Sequence, residues 1–141
     1  MASTLASIPE DVGQKYREFK FRKSKGSCAI INKINSKTKT VEIEQEIENL
    51  DLNGLSDEIC SCEPRYILVS YEYRRDDGRV SYPYCLIFSS PRNSPNDLKM
   101  LYAGTLHHFT DISQVTKVYE LHDLEDLNEE WLIEEMKKKG I

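Results

Sequence analysis

A chain of 141 residues, 39% hydrophobic and 30% charged, has the make-up of one soluble globular domain. At that length it buries about two-thirds of its unfolded surface, enough for a real core. Its apolar runs are only a few residues long, too short to cross a bilayer. Residues 1–8 lack the basic start and long apolar stretch of an export signal. Cys28, Cys60, Cys62 and Cys85 show no disulfide-scaffold spacing, so reduced thiols in a cytoplasmic setting are expected. The net charge of −5 is unevenly spread: Lys15 to Lys39 holds nine bases and one acid, Glu42 to Glu63 eight acids and no base. Blocks of this kind are ordinary solvated faces or steering patches for a partner of complementary charge.

In chain order, Ser7 and Glu10 have capping-box spacing and Pro9 suits a first helical turn. Ile8, Val12, Tyr16 and Phe19 then recur at helical spacing as one buried stripe, and Gly26 and Ser27 close the helix. Cys28 to Ile34 reads as a strand, Asn35 to Lys37 as a turn, and Thr40 to Glu48 as a second strand. In that second strand Val41, Ile43 and Ile47 share a face against the glutamates. Leu52, Leu55 and Ile59 suggest a short helix. Arg65 to Tyr73 is an inner strand, Asp77-Gly78 a hairpin turn, and Val80 to Ser89 the return strand, interrupted by Pro83, which cannot donate to a ladder. Ser94 is placed to cap a long helix with Pro95 at its first position. Lys117 to Leu121 is a last short strand. A terminal helix then starts around Asp126 and Glu129, anchored by Leu127, Trp131, Leu132 and Met136. The pattern implies an α/β (α+β) domain spanning residues 9–141 behind a flexible segment 1–8. Its centre is a mixed five- to six-stranded sheet flanked by helices on both faces.

Three places could carry function. On the long helix Leu98, Leu101, Tyr102, Thr105 and Phe109 face inward, leaving Lys99, Met100, Ala103 and His107 outward, with Gly104 in the same turn. An outward Met is either a rim residue or adaptable contact surface. The hairpin tip Arg74-Arg75-Asp76-Asp77-Gly78-Arg79 is cationic and suits carboxylates, unless its arginines pair internally. Ser3, Thr4 and Ser7 are hydroxyls at which phosphorylation would add about −1.5 to −2 charges. His107, His108 and His122 with Cys60-x-Cys62 lack the familiar zinc spacings, and neither a phosphate-cradling loop nor a nucleophile elbow occurs. No catalytic residue, metal or cofactor is expected. An RNA-binding role for Lys15 to Lys39 is disfavoured because Tyr16, Phe19 and Phe21 read as buried and no RNA-binding signature accompanies the charge.

The run Asp76-Asp77-Gly78-Arg79-Val80-Ser81-Tyr82-Pro83, continued by Cys85-Leu86-Ile87-Phe88-Ser89-Ser90-Pro91, resembles the glia maturation factors of the actin-depolymerising-factor homology superfamily. Phe19-Lys20-Phe21-Arg22-Lys23, Met100-Leu101-Tyr102-Ala103-Gly104, Thr116-Lys117-Val118 and Glu125 to Leu132 agree with it in order. The likeness runs from about Pro9 to about Met136.

That resemblance implies a single actin-depolymerising-factor homology domain without enzymatic activity. It implies binding to the actin-related protein 2/3 complex, inhibition of branched nucleation and debranching of filaments, in the cytoplasm at the actin-rich cortex and lamellipodia. Lys99, Met100, Ala103, Gly104, Arg22 and Lys23 would meet the actin-related subunit. Arg79, Asp77, Gly78, Arg75, Glu129 and Glu130 would meet actin of the daughter filament. Asp97 stands where actin-binding relatives carry a base, which implies weak or no binding to free actin. The alternative within the superfamily is a cofilin-like severing protein. A monomer that engages neither nucleic acid nor membrane is expected.

Overall fold

The computed structural model describes residues 5–22 and 26–139. Helix α1 (Glu10–Lys20) is followed by strands β1 (Cys28–Asn35) and β2 (Thr40–Ile47), then by a single 3₁₀ turn at Leu55–Glu58. Strand β3 (Arg65–Ser70) leads into a small ribbon, β4 (Tyr73–Arg74) and β5 (Val80–Ser81), and β6 (Tyr84–Ser89) re-enters the main sheet. Helix α2 (Asn96–Ser113), strand β7 (Val118–Leu121), a further 3₁₀ turn at Leu124–Asp126 and helix α3 (Glu129–Lys138) complete the described elements.

Five strands form one sheet in the order β2-β1-β3-β6-β7. All neighbours are antiparallel except β6 and β7, which are parallel. A parallel pair needs a crossover, and α2 supplies it. The expected long return strand is therefore divided at Tyr82-Pro83: β4 and β5 form their own two-stranded sheet. Where the proline breaks the ladder, its carbonyl still accepts from the Tyr71 N–H at 3.1 Å.

Each face of the sheet carries a core. Tyr16, Phe19, Tyr66, Leu68, Leu86, Leu101, Tyr102 and Phe109 pack α1 and α2 on one side. Leu52, Leu55, Ile67, Ile87, Leu127, Leu132 and Met136 pack the 3₁₀ turn and α3 on the other. The two upper helices approach closely at Gly13, where a Cβ would lie 3.1 Å from Ile112 Cγ2.

A polar spine runs through the first core. The Tyr16 hydroxyl donates to Asn32 Oδ1 at 2.6 Å, and Asn32 Nδ2 donates to the carbonyls of Ile30 and Tyr66, both at 3.1 Å. The Tyr66 hydroxyl donates to the Tyr102 carbonyl, and the Tyr102 hydroxyl accepts from the Ile34 N–H at 2.8 Å. Asn32 is wholly buried, and such a group is tolerable only with its hydrogen bonds made, as here. This spine ties α1, β1, β3 and α2 into one body.

Several expectations need correction. Ser7 caps no helix: Pro9 is the N-cap residue of α1, and Ser7 forms a parallel bridge to Thr40, its N–H on Lys39 O and its carbonyl accepting from Val41 N–H. With Ala6 buried and its N–H on Thr105 Oγ1 at 3.0 Å, the described part of segment 1–8 is pinned to β2 and α2 from Ala6 on. Ser94 likewise does not cap α2. Pro95 holds that position, and the buried Ser94 hydroxyl finds no partner among the described residues. Helix α1 stops at Lys20, well before Gly26, which leaves Phe21 68% exposed rather than in the buried stripe.

On β2 the shared face of Val41, Ile43 and Ile47 does not hold. Ile31 pairs with Gln45 and Asn32 with Ile43, so Glu44 is an extra residue in the ladder. A bulge of one residue turns every later side chain to the other face. Val41 and Ile43 join the α1–α2 core, whereas Ile47 packs on the α3 side. Helix α3 starts at Glu129, and its cap is Asn128, whose side-chain oxygen accepts from the Trp131 N–H at 2.8 Å.

Candidate functional site

The sheet register divides the candidate residues between two ends of the molecule. Strand β6 runs from Tyr84, opposite Ser70, to Ser89, opposite Arg65. The ribbon leaves at the Ser70 end, and α2 begins beyond Ser89. Eighteen residues at about 1.5 Å rise carry α2 back roughly 27 Å, until the Tyr84 hydroxyl meets the Ser113 carbonyl at 2.9 Å.

At the α2 start, Leu101, Tyr102, Thr105 and Phe109 are buried as the helical spacing requires, and the other side of the helix faces solvent. Met100 is 71% exposed, and Ala103 and Gly104 flank it on the open face. An unbranched apolar side chain standing in water, with two small residues one helical turn further on, leaves room for another surface to approach. Lys99 behaves differently from the expectation. It is half-buried, and its ammonium donates to the Arg92 carbonyl at 2.6 Å, bracing the turn before the helix. Arg92 in turn reaches Asp123 at 3.3 Å. Exposed Leu5, next to the pinned Ala6, lies on the same N-terminal segment that adjoins Thr105.

Arg22 is not part of this cluster. It follows the C-terminal end of α1, where Lys20 reaches Gln114, the residue after α2, at 3.4 Å. That contact puts it at the far end of α2 from Met100. Its guanidinium pairs with Glu48 at 2.9 Å, while its Nε is buried and unpartnered among the described residues. Lys23 lies outside the described residues, as do Ser3 and Thr4. Ser7 is exposed, with its hydroxyl 3.4 Å from the Lys39 carbonyl.

At the hairpin end, Gly78 takes a positive φ of 91°, the conformation that lets the turn close. Asp77 accepts from the Arg79 N–H at 3.0 Å and from its Nε at 2.7 Å. The Arg79 backbone N–H, then its guanidinium, hold the Asp77 carboxyl below the usual carboxylate range. Arg79 nevertheless keeps 77% of its side chain exposed. Arg75 lies 5.6 Å from the centre of the Tyr73 ring, and Arg74 pairs with Glu72 at 3.5 Å. The tip is thus cationic but locally paired. Exposed Val80 and Tyr82 add apolar surface beside it.

Glu129 and Glu130 stand exposed at the start of α3. A groove lined by Tyr71, Tyr73, Arg74, Glu129 and Ile133 joins that helix to the base of the hairpin. Burial, with Glu129 beside it, pushes the Tyr71 hydroxyl up to about 12. Sequence reasoning missed the groove, because no spacing links residue 71 to residue 129.

His107 stands on α2 with Asp111 at 3.9 Å, while His122, just after β7, lies 3.1 Å from the carbonyl of Ser90, just after the neighbouring β6. Among the described residues no group of three or more His, Cys, Asp or Glu could hold a metal ion, and no helix is long and apolar enough to cross a membrane.

A five-stranded mixed sheet with α1 and α2 on one face and α3 on the other, open at the α2 start and the hairpin, defines the actin-depolymerising-factor homology class. Residues 5–137 match the family model described as Cofilin/tropomyosin-type actin-binding protein. Human glia maturation factor beta is 42% identical over 132 residues, covering 94% of this chain and 93% of that protein. The glia maturation factor of Drosophila melanogaster is 35% identical over 133 residues, 94% and 96% of the two chains. The solution structure of glia maturation factor from Caenorhabditis elegans superposes with a TM-score of 0.80 at 33% identity, over 95% of this chain and 99% of that one. The chain belongs to the glia maturation factor family. That membership groups it with non-enzymatic regulators of the actin cytoskeleton.

Proposed function

We propose that this protein docks on the actin-related protein 2/3 complex through the α2 start, inhibits branched nucleation, and dissociates daughter filaments with the help of the hairpin end. It acts in the cytoplasm at the actin-rich cortex, as a monomer. The observation that carries the reading is Met100, which is highly exposed on a helix whose other side is fixed to the sheet by Tyr66 and Tyr102. A preformed apolar contact of this kind spares the ordering cost of docking. Met100, Ala103 and Gly104 meet the actin-related subunit, and Lys99 supports them by holding the preceding turn.

The hairpin, with Arg75, Asp77, Gly78 and Arg79, and the α3 start, with Glu129 and Glu130, face the adjoining actin. Arg22 fits this second surface better than the first, because it sits at the opposite end of α2 from Met100. A ligand opens a junction only by binding its dissociated or strained form more tightly than the intact one. Two surfaces on one rigid body can do so when both cannot be satisfied in the intact branch. Phosphorylation at Ser3, Thr4 or Ser7 would add negative charge to the N-terminal segment, whose Ala6 bonds to Thr105 of α2, and weaken docking.

Pull-down of the complex by the double variant Met100→Asp, Lys99→Glu tests the assignment. Loss of capture with an unchanged circular dichroism spectrum is expected. Capture equal to wild type would remove α2 from the docking surface.

A further inference from the structure

Between the 3₁₀ turn and β3 lies a surface loop that the docking scheme does not use. Cys60 and Cys62 stand on it with their sulfurs 3.5 Å apart, Cys62 exposed and Cys60 half-buried. The chain bends at residues 61–63, which brings both thiols to the same side. Each end of the loop is fixed. Ile59 is buried in the α3-side core, and the Arg65 guanidinium is held by Glu44, Glu63 and the Pro64 carbonyl. The pair is therefore held together by its surroundings instead of meeting by chance.

The other two thiols contrast with it. Cys28 and Cys85 are both 1% exposed, and burial pushes the Cys85 thiol up to about 12. Buried cysteines of that kind are inert, so reactivity in this chain is confined to the surface pair.

We propose that Cys60 and Cys62 form a reversible thiol–disulfide couple that exchanges with small-molecule disulfides. The Cys62 thiolate attacks one sulfur of the small disulfide, its S–S bond breaks, and one small thiolate leaves. Cys60, 3.5 Å away, then attacks Cys62 sulfur and expels the second small thiolate. The protein loses two electrons and two protons, and the small disulfide becomes two thiols. Cys62 is the entry point because it is the more exposed. Its thiol is held above the ordinary range chiefly by the hydrogen bond to Cys60, so proximity and access drive the exchange, not an activated thiolate. A disulfide across one intervening residue on the surface belongs to the labile class, which makes the step reversible. Ser61, between the two cysteines, lines a groove with Arg92, His122 and Asp123, beside the start of α2.

The test equilibrates the full chain in buffers of reduced and oxidised glutathione at stepped ratios. Samples are acid-quenched and unfolded, free thiols are alkylated, and the peptides are weighed. The wild type is expected to lose two hydrogens in the peptide that holds residues 60 and 62, to keep Cys28 and Cys85 alkylated, and to regain both surface thiols in reducing buffer. Cys60→Ser should instead accumulate a glutathione adduct on Cys62. Adducts on the wild type without the internal bond would overturn the couple. So would equal adduct levels in the wild type and Cys60→Ser, or oxidation of Cys28 or Cys85 at the same ratio. None of these readouts depends on whether the protein binds the branching complex.

Discussion

At the α2 end the chain offers Met100, Ala103 and Gly104 on a helix fixed from beneath, while at the hairpin end it offers arginines on a two-stranded ribbon outside the main sheet. The first surface is apolar and rests on buried hydrogen bonds. The second is charged, and its ion pairs are local: Arg79 with Asp77, Arg74 with Glu72. Rigid apolar contact supplies affinity, whereas exposed charge supplies orientation and encounter rate. The difference is what the proposed division of holding from prying between two surfaces of one small domain requires.

The sharpest contrast lies in stability. Asn32→Ala leaves the Tyr16 hydroxyl and the Tyr66 carbonyl without their partner inside the core, and should cost about 3 kcal/mol in urea unfolding. Arg79→Ala removes a surface pair and should change stability by less than about 0.5 kcal/mol. Similar losses for both would break the distinction between a braced end and a peripheral one. In binding, Met100→Asp with Lys99→Glu should weaken capture of the branching complex by about 100-fold, the scale of a central contact. Arg79→Ala should weaken capture by less than about 5-fold and slow branch removal more than that, as a rim charge would. Equal loss of both activities in the Arg79 variant would refute the division of labour.

Salt sharpens the comparison further. Raising ionic strength from about 50 to 200 mM should shrink the Arg79 effect and leave the Met100 effect nearly constant, because screening acts on exposed charge. The smallest effect is the Asp77 titration. Its folded carboxyl lies below the usual range, so its contribution to the turn is present above the ordinary value and lost as pH falls through the lowered one. An NMR titration should place the Asp77 midpoint below that of an unstructured aspartate. Arg79→Ala should restore only part of the difference, because the backbone N–H remains.

Much of the fold was legible because its signals are periodic or chemical. The Tyr16–Phe19 stripe, the β-forming run Arg65 to Ser70 read as an inner strand, Asp77-Gly78 and Pro83 each name a local geometry that the fold adopts. What failed depends on contacts distant in sequence. Ser7 and Ser94 precede prolines that take the cap position themselves, and the Ser7 backbone bonds to a strand more than thirty residues away. The bulge at Glu44 leaves the hydrophobic spacing of β2 intact while reversing the face of Ile47. Among the site residues, Met100 was readable from helical spacing, because only one side of α2 can face the sheet. The turning of Lys99 onto the Arg92 carbonyl was not, nor was the separation of Arg22 from Met100. Both follow from how the turn and the helix ends are placed by the sheet.

Time-resolved imaging of preformed branched filaments, beside unbranched ones, tests the docking account most directly. Added protein should strip daughter filaments from their junctions and leave unbranched filaments at their original length. Fragmentation of the unbranched filaments, with junctions surviving, would contradict it.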